Sequence, residues 1–297
     1  MIVTITQVPT EATPTTAATP TTGVVTSAYR SRPPASATER IGRNVLHSEW
    51  TKLRTVRSTY WTLLGSAAAI VGISAIVCSV YAAQFDTLTV QNKAAFNPIS
   101  TSLVGIGLAQ LAIGVLGVLV ITNEYASGMI RSTLAATPQR LAVLAAKAVV
   151  FAVVTFVVST IATFIAFFVG QAILANKELG VSISSPGALR GVIGTGSYLA
   201  TMGLLSLGLG TLIRKTAGAI SALFGILLIL PVVVGLLPGS MSGAVKYLPS
   251  NAGQALVFGT AHSTSTELAP WVGFGLFCLY AAASLALAAV TLLHRDA

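Results

Sequence analysis

Groups that can do chemistry are scarce in this chain and unevenly placed. Of 297 residues, 17 are Lys or Arg, 8 are Asp or Glu, 3 are His and 2 are Cys. His47, His262 and His294 show none of the short spacings that hold a metal. Cys78 and Cys278 stand inside apolar runs, where a thiol acts as a small hydrophobe. A disulfide between them is the weaker expectation. No Gly-Lys dipeptide occurs, so a GxxxxGKS/T phosphate loop is absent and the chain is not expected to be its own ATP motor. Six apolar stretches of 20 or more residues hold no Asp, Glu, Lys or Arg. Acids and bases at membrane depth mark proton- and ion-coupled carriers. Intramembrane hydrolases and lipid transferases need Ser/His, paired Asp or a zinc motif there. Neither class finds its residues in these stretches.

The elements that must position the remaining charges follow from the same pattern. A bilayer core takes about 20 apolar helical residues to cross. Mean hydropathy is +0.82, and 54% of residues are hydrophobic against 8% charged. The expected fold is an all-α polytopic membrane protein with spans at 62–81, 101–122, 148–169, 191–213, 218–237 and 270–293. The turn 214–217 makes the fourth and fifth spans a helical hairpin, and Pro231 is expected to kink the fifth. Residues 1–38, rich in Thr, Ala and Pro without an apolar signal core, read as a disordered tail.

Thirteen Lys and Arg fall on one side of these spans and four on the other, Lys93, Lys177, Arg190 and Lys246. The positive-inside rule then puts both termini in the cytoplasm of a multi-pass cell-membrane protein. The net charge of +9 follows the membrane boundary without interleaved aromatics, so lipid headgroups are the expected partner and nucleic acid is not.

Residues 39–61 read as an interfacial amphipathic helix. At 100° per residue Ile41, Val45, Leu46, Trp50, Leu53, Val56 and Tyr60 share one broad arc, opposite Asn44, His47, Ser48, Thr51, Thr55 and Ser58. Arg54 lies at the edge of the polar arc, while Lys52 and Arg57 intrude on the apolar one with stems long enough to snorkel. Glu49 projects from the middle of the apolar arc. It either pairs with Lys52 or faces a protein partner, and the partner is the expectation.

The most specific segment is NEYASGMIRSTLAATPQRLAVLAAK, residues 123–147. Ser127-Gly128 permits a tight turn, Met129, Ile130 and Leu134 give a small apolar face, and Thr137-Pro138 stops it. An apolar knob on a cytoplasmic loop suggests a docking element. In an ordinary loop, Glu124 and Arg131 would merely pair with each other.

At this loop the chain resembles the membrane subunits of ABC transporters, specifically the type-2 export permeases. Glu124, Gly128, Leu134, Thr137, Pro138, Arg140 and Lys147 match the pattern of that family, while Met129 stands where the family usually has Thr. HSEWTKLRTVRSTYWTLL at 47–64 looks like the N-terminal signature of actinobacterial members, and YLPSNAGQAL at 247–256 is similar to their segment before the last span. The likeness runs from about Arg40 to the C-terminus. It implies that the interfacial helix and a short coupling helix within 123–140 sit in a cleft on a separate cytoplasmic ATP-binding subunit. Two permease copies, or a homologous pair, would form the conduit. No cofactor is bound directly, ATP and Mg acting through the partner. The implied partner-binding residues are Glu49, Lys52, Arg54, Glu124, Gly128, Met129, Ile130, Arg131, Leu134, Pro138 and Arg140.

Gln110, the only carboxamide within these spans, is the candidate conduit residue, because an amide facing lipid is costly. The Ser and Thr of the third and fourth spans are expected to bond their own helix or glue helices together. The segment 238–269 forms short external re-entrant helices in the resembled family; its own Gly-, Ser- and Pro-rich composition suits a loose loop nearly as well. The alternative function is a non-transporting scaffold or sensor subunit, which only the coupling loop separates from a permease.

Overall fold

The computed structural model describes residues 35–129, 140–237, 242–259 and 268–294, with side chains from Val45 onward. Its helices are α1 (Ala35–Thr55), α2 (Arg57–Gln84), the short α3 (Val90–Ala95) and α4 (Pro98–Ser102), and α5 (Ile106–Ala126). They continue with α6 (Arg140–Ala175), α7 (Ala188–Ile213), α8 (Thr216–Phe224), α9 (Leu230–Gly235), α10 (Pro249–Phe258) and α11 (Pro270–His294). No strand occurs among the described residues. Six units are long and apolar enough to cross a membrane: α2, α5, α6, α7, the α8–α9 unit and α11. The chain is an all-α polytopic membrane protein, as its hydropathy pattern predicts.

Helix α7 occupies the centre, packing against α5, α6, α10 and α11. Of its most apolar window 78% is buried, against 17% for α8–α9. Small residues allow this. Between apolar helices in lipid, association depends on close packing rather than on escape from water. A Cβ on Gly117 of α5 would lie 2.6 Å from the Gly203 carbonyl oxygen of α7, so these backbones meet only because position 117 is glycine.

Several boundaries differ from the sequence expectation, each for a local reason. The interfacial element ends at Thr55, not at residue 61. Val56 is extended (φ −76°, ψ 107°), and Arg57–Trp61 are the first turns of α2. The second span starts at Ile106, not at 101. Asn97 accepts from the backbone N–H of Ile99 and Ser100 at 3.0 and 3.3 Å and caps α4 separately. Gly105 then donates its N–H to Ser74 Oγ at 3.2 Å, at a point where a Cβ would run into the Ile70 backbone. The third span is longer than 148–169, because α6 runs unbroken for 36 residues and takes in Lys147 and Gln171.

The kink expected at Pro231 takes the form of a widened turn. Residues Gly225–Ile229 are π-helical, and the Leu230 N–H reaches back to the Gly225 carbonyl. Proline has no N–H and crowds the carbonyl four residues earlier, and a π-turn relieves both. The fourth and fifth spans form the expected hairpin, its turn tightened by Arg214 in the left-handed region (φ 60°). Within 238–269, Ser242–Tyr247 is a 3-10 helix and α10 packs onto α7 and α11, so the described part is ordered helix rather than loose loop.

Candidate functional site

Where α1 meets the bundle, its apolar arc divides. Val45 packs on Val143 and Ala146 of α6, while Leu46 and Trp50 stay exposed. Glu49, one turn after Val45, therefore points at α6 rather than away from the protein. Its Oε2 accepts from Lys147 Nζ at 2.6 Å and its Oε1 from Lys52 Nζ at 2.6 Å. Lys147 also donates to Glu124 Oε1 of α5 at 2.8 Å, and Lys52 reaches the same oxygen at 3.3 Å. Two carboxylates and two ammonium groups from three helices thus close a neutral ring. Glu49 and Lys147 are only 2% and 3% exposed.

Burial pushes the Glu49 carboxyl up, but the charges and hydrogen bonds of Lys147 and Lys52 outweigh it and leave it below the ordinary glutamate value. For Lys52 burial pulls down, and its bonds to Glu49 and Glu124 outweigh that and raise it. Both groups of α1 are held ionised by their partners in the ring.

Glu49 makes the pairing with Lys52 that was the other reading of it and adds Lys147, and Glu124 is engaged in the ring as well. Arg140 also turns inward: its Nη1 donates to the Leu292 carbonyl at 3.1 Å, and Arg214 Nη2 donates to that of Thr291 at 3.4 Å. Two arginines thus bond carbonyls near the C-terminal end of the described part of α11, where positive charge suits the helix dipole. Arg54, Gly128 and Met129 are exposed, and Gly128 takes the left-handed φ of 69° that ends α5. Ile130, Arg131, Leu134 and Pro138 lie outside the described residues, as does the rest of the expected coupling helix.

Beside the ring lies a cavity of about 380 Å³, lined by Lys52, Leu53, Val56, Leu116, Leu119, Val120, Asn123 and Glu124 among others. The second oxygen of Glu124, Oε2, is buried and has no hydrogen-bond partner. Sequence reasoning offered the Glu49–Lys52 pair but missed Lys147 and Glu124 as its partners, and missed the cavity. The signal for the ring was Glu49, a short carboxylate in an apolar arc.

Gln110, the candidate conduit residue, is hydrogen-bonded inside the bundle. Its Oε1 accepts from the Tyr198 hydroxyl of α7 and from Gln254 Nε2 of α10 at 3.3 Å. The Tyr198 ring stacks on Phe277 of α11, centroids 5.2 Å apart. This neutral knot joins α5, α7, α10 and α11. Gln254, not Gln110, lines the adjoining cavity of about 320 Å³ with Lys246 and Asn251. Among the described residues no three His, Cys, Asp or Glu side chains are grouped to hold a metal ion.

No protein-family model matches the chain, and no curated protein is significantly similar to it in sequence.

Proposed function

We propose that the chain is the membrane-spanning permease subunit of an ATP-driven ABC exporter, docking a separate ATPase subunit and pairing with a second copy or a homologue. The observation that supports this reading is the buried ring. It clamps α1 to the ends of α5 and α6, the two helices that flank the 123–140 loop. An α1 clamped in this way cannot slide independently of those spans, so a push on α1 or the loop is passed into the bundle. Transmission of this kind needs no catalytic group in the chain. ATP and Mg act on the partner.

In this reading the ring end faces the cytoplasm of a bacterial cell, with both termini on that side. The segregation of Lys and Arg supports this orientation. The uncharged spans suit an amphipathic or hydrophobic cargo.

The test is affinity capture of the full tagged chain from its native membranes. An ATP-binding subunit should co-purify, and its ATPase rate should rise in the complex. Replacing both Ile130 and Leu134 by Asp should cut capture about tenfold or more, as truncating interface anchors does. Undiminished capture and stimulation in that variant would overturn the docking assignment. Hydrolysis of ATP by the chain alone would overturn the division of labour. Capture without ATP-dependent transport in reconstituted vesicles would favour the scaffold reading.

A further inference from the structure

We infer that the groove between α6 and α11 seats an acyl chain of an anionic phospholipid whose phosphate meets Arg140. Both helices pack on α7, and where they part they leave a groove of about 540 Å³. Ala145, Ala148 and Ala152 of α6, Leu204 of α7, and Leu285 and Ala289 of α11 supply most of its surface, and no polar side chain lines it. It opens sideways, since Leu141 and Val149 along it are 45% and 54% exposed. The α6 lining runs from Leu141 to Ala152, roughly 16 Å at 1.5 Å per residue, which is about half of a bilayer core. A spanning helix of a partner needs the full thickness, whereas a lipid chain needs one leaflet. The length of the groove therefore selects the chain.

Charge at one end of the groove selects the headgroup. Arg140 lies one turn before Leu144, a lining residue, on the same face of α6. Its Nη1 donates to the carbonyl of Leu292, three residues beyond Ala289 on α11. The guanidinium therefore stands between the two helices, just past the apolar lining. That bond uses one of its five N–H groups. Arg140 is half-buried and none of its nitrogens is both buried and unbonded, so the unused N–H groups are accessible. No carboxylate meets Arg140 among the described residues, because Glu49 and Glu124 are spent in the neutral ring. Arg54, Arg57 and Lys215 are exposed at the same end and add to the positive field. A phosphate matches the guanidinium fork with two parallel hydrogen bonds. A lipid of net negative charge suits an end where positive charge is in excess, whereas a zwitterionic head brings a cation of its own. This seat uses neither the ring nor a bound ATPase, so it stands whether or not the chain docks one.

The experiment is native mass spectrometry of the full chain in mild detergent with an equimolar mixture of phosphatidylglycerol, phosphatidylethanolamine and phosphatidylcholine. The wild type should carry phosphatidylglycerol in about fivefold preference to the other two, the pull of one basic residue on an anionic lipid. Arg140→Gln, which keeps an N–H for the Leu292 carbonyl, should bind the three alike. Arg57→Gln, the same charge change on α2 outside the groove, should keep the preference. Ala145→Trp puts an indole into the groove from its exposed side and should reduce the phosphatidylglycerol adduct to the level of the other two. Ala289→Phe serves if the thermal transition shows that the first filling variant does not fold. Equal binding of the three lipids by the wild type overturns the inference, and so does stronger binding of a zwitterionic one. A preference that survives Arg140→Gln, or that Arg57→Gln abolishes as well, reports a diffuse field and overturns the role of Arg140. One that survives groove filling overturns the placement. So does a dimer that groove filling breaks while the lipid adducts stay, since a second copy is then the occupant.

Discussion

At one end of the bundle Lys147 is 3% exposed and meets Glu49 at 2.6 Å and Glu124 at 2.8 Å. At the other end Lys177 is 43% exposed and meets Asp86, itself 72% exposed, at 2.8 Å. The N···O distances are nearly equal and the surroundings are not. Asp86 and Lys177 keep their water, and each can be satisfied without the other. Lys147 and Glu49 have given theirs up and depend on the partners supplied by neighbouring helices. Exposed pairs contribute little, whereas removing one member of a buried pair strands the rest at high cost. A distance alone does not say what an ion pair holds together.

The most damaging way to probe this contrast is Lys147→Met. Met matches the length of the stem and leaves Glu49 and Glu124 with only the half-exposed Lys52 between them. The expected loss is about 3–5 kcal/mol, the range for breaking a buried pair. It should be read as a lower thermal transition in detergent, together with faster proteolysis between α1 and α2 at Val56. The double variant Glu49→Gln with Lys147→Met removes a charge of each sign and should recover part of the loss. If Lys147→Met melts with the wild type, the ring does not hold α1.

Acid probes the same ring with a smaller effect. The Glu49 carboxyl faces Lys52 of its own helix and Lys147 of α6, and it shares both with Glu124 of α5. Its value in the folded chain lies below the ordinary one of about 4.3. A group lowered on folding adds stability above its unfolded value, and that stability is lost as pH falls through the folded one. Lys52, raised on folding, adds stability below its unfolded value of about 10.4 and loses it only as pH rises through its folded value. Between roughly pH 5 and pH 10 the docking of α1 should therefore be flat. It should weaken below about pH 4.3, seen as faster cleavage at the α1–α2 joint. A midpoint at or above pH 6 would point to another group.

The sequence disclosed whatever is local. A charge-free run of 20 or more residues needs no tertiary information to be read as a span, and the Arg214 turn marks its hairpin unaided. The ends of the spans were less visible. That Gly105 breaks from α4 depends on Ile70 and Ser74 of another helix, and that Arg140 turns inward depends on the α11 carbonyl it meets. Only the Glu49–Lys52 side of the ring was legible, because Glu49 and Lys147 lie 98 residues apart. Lys147 passed for an ordinary boundary charge, and Glu49 was read as pairing with Lys52 or facing an outside partner. Gln110 was rightly singled out as a costly amide, but its answer, Tyr198, sits 88 residues away on α7.

The mildest test is at the far end. Asp86→Asn removes the charge from the Lys177 pair, and nothing buried depends on it, since Asp86 lies in the short turn Phe85–Thr87 with its carboxylate in water. The Lys93 ammonium nearby also donates to the Asp86 backbone carbonyl at 3.3 Å and sits 5.4 Å from the Phe85 ring centre, contacts that do not use the carboxylate. Its aromatic neighbours, Phe85 and Tyr81 around Phe96, pack independently of it. The thermal transition should therefore match the wild type within measurement error, and adding salt should change neither chain. A clear loss of stability in Asp86→Asn would mean that this pair is less hydrated than its exposure implies, and the contrast between the two ends would then fail at its weaker member rather than at the ring.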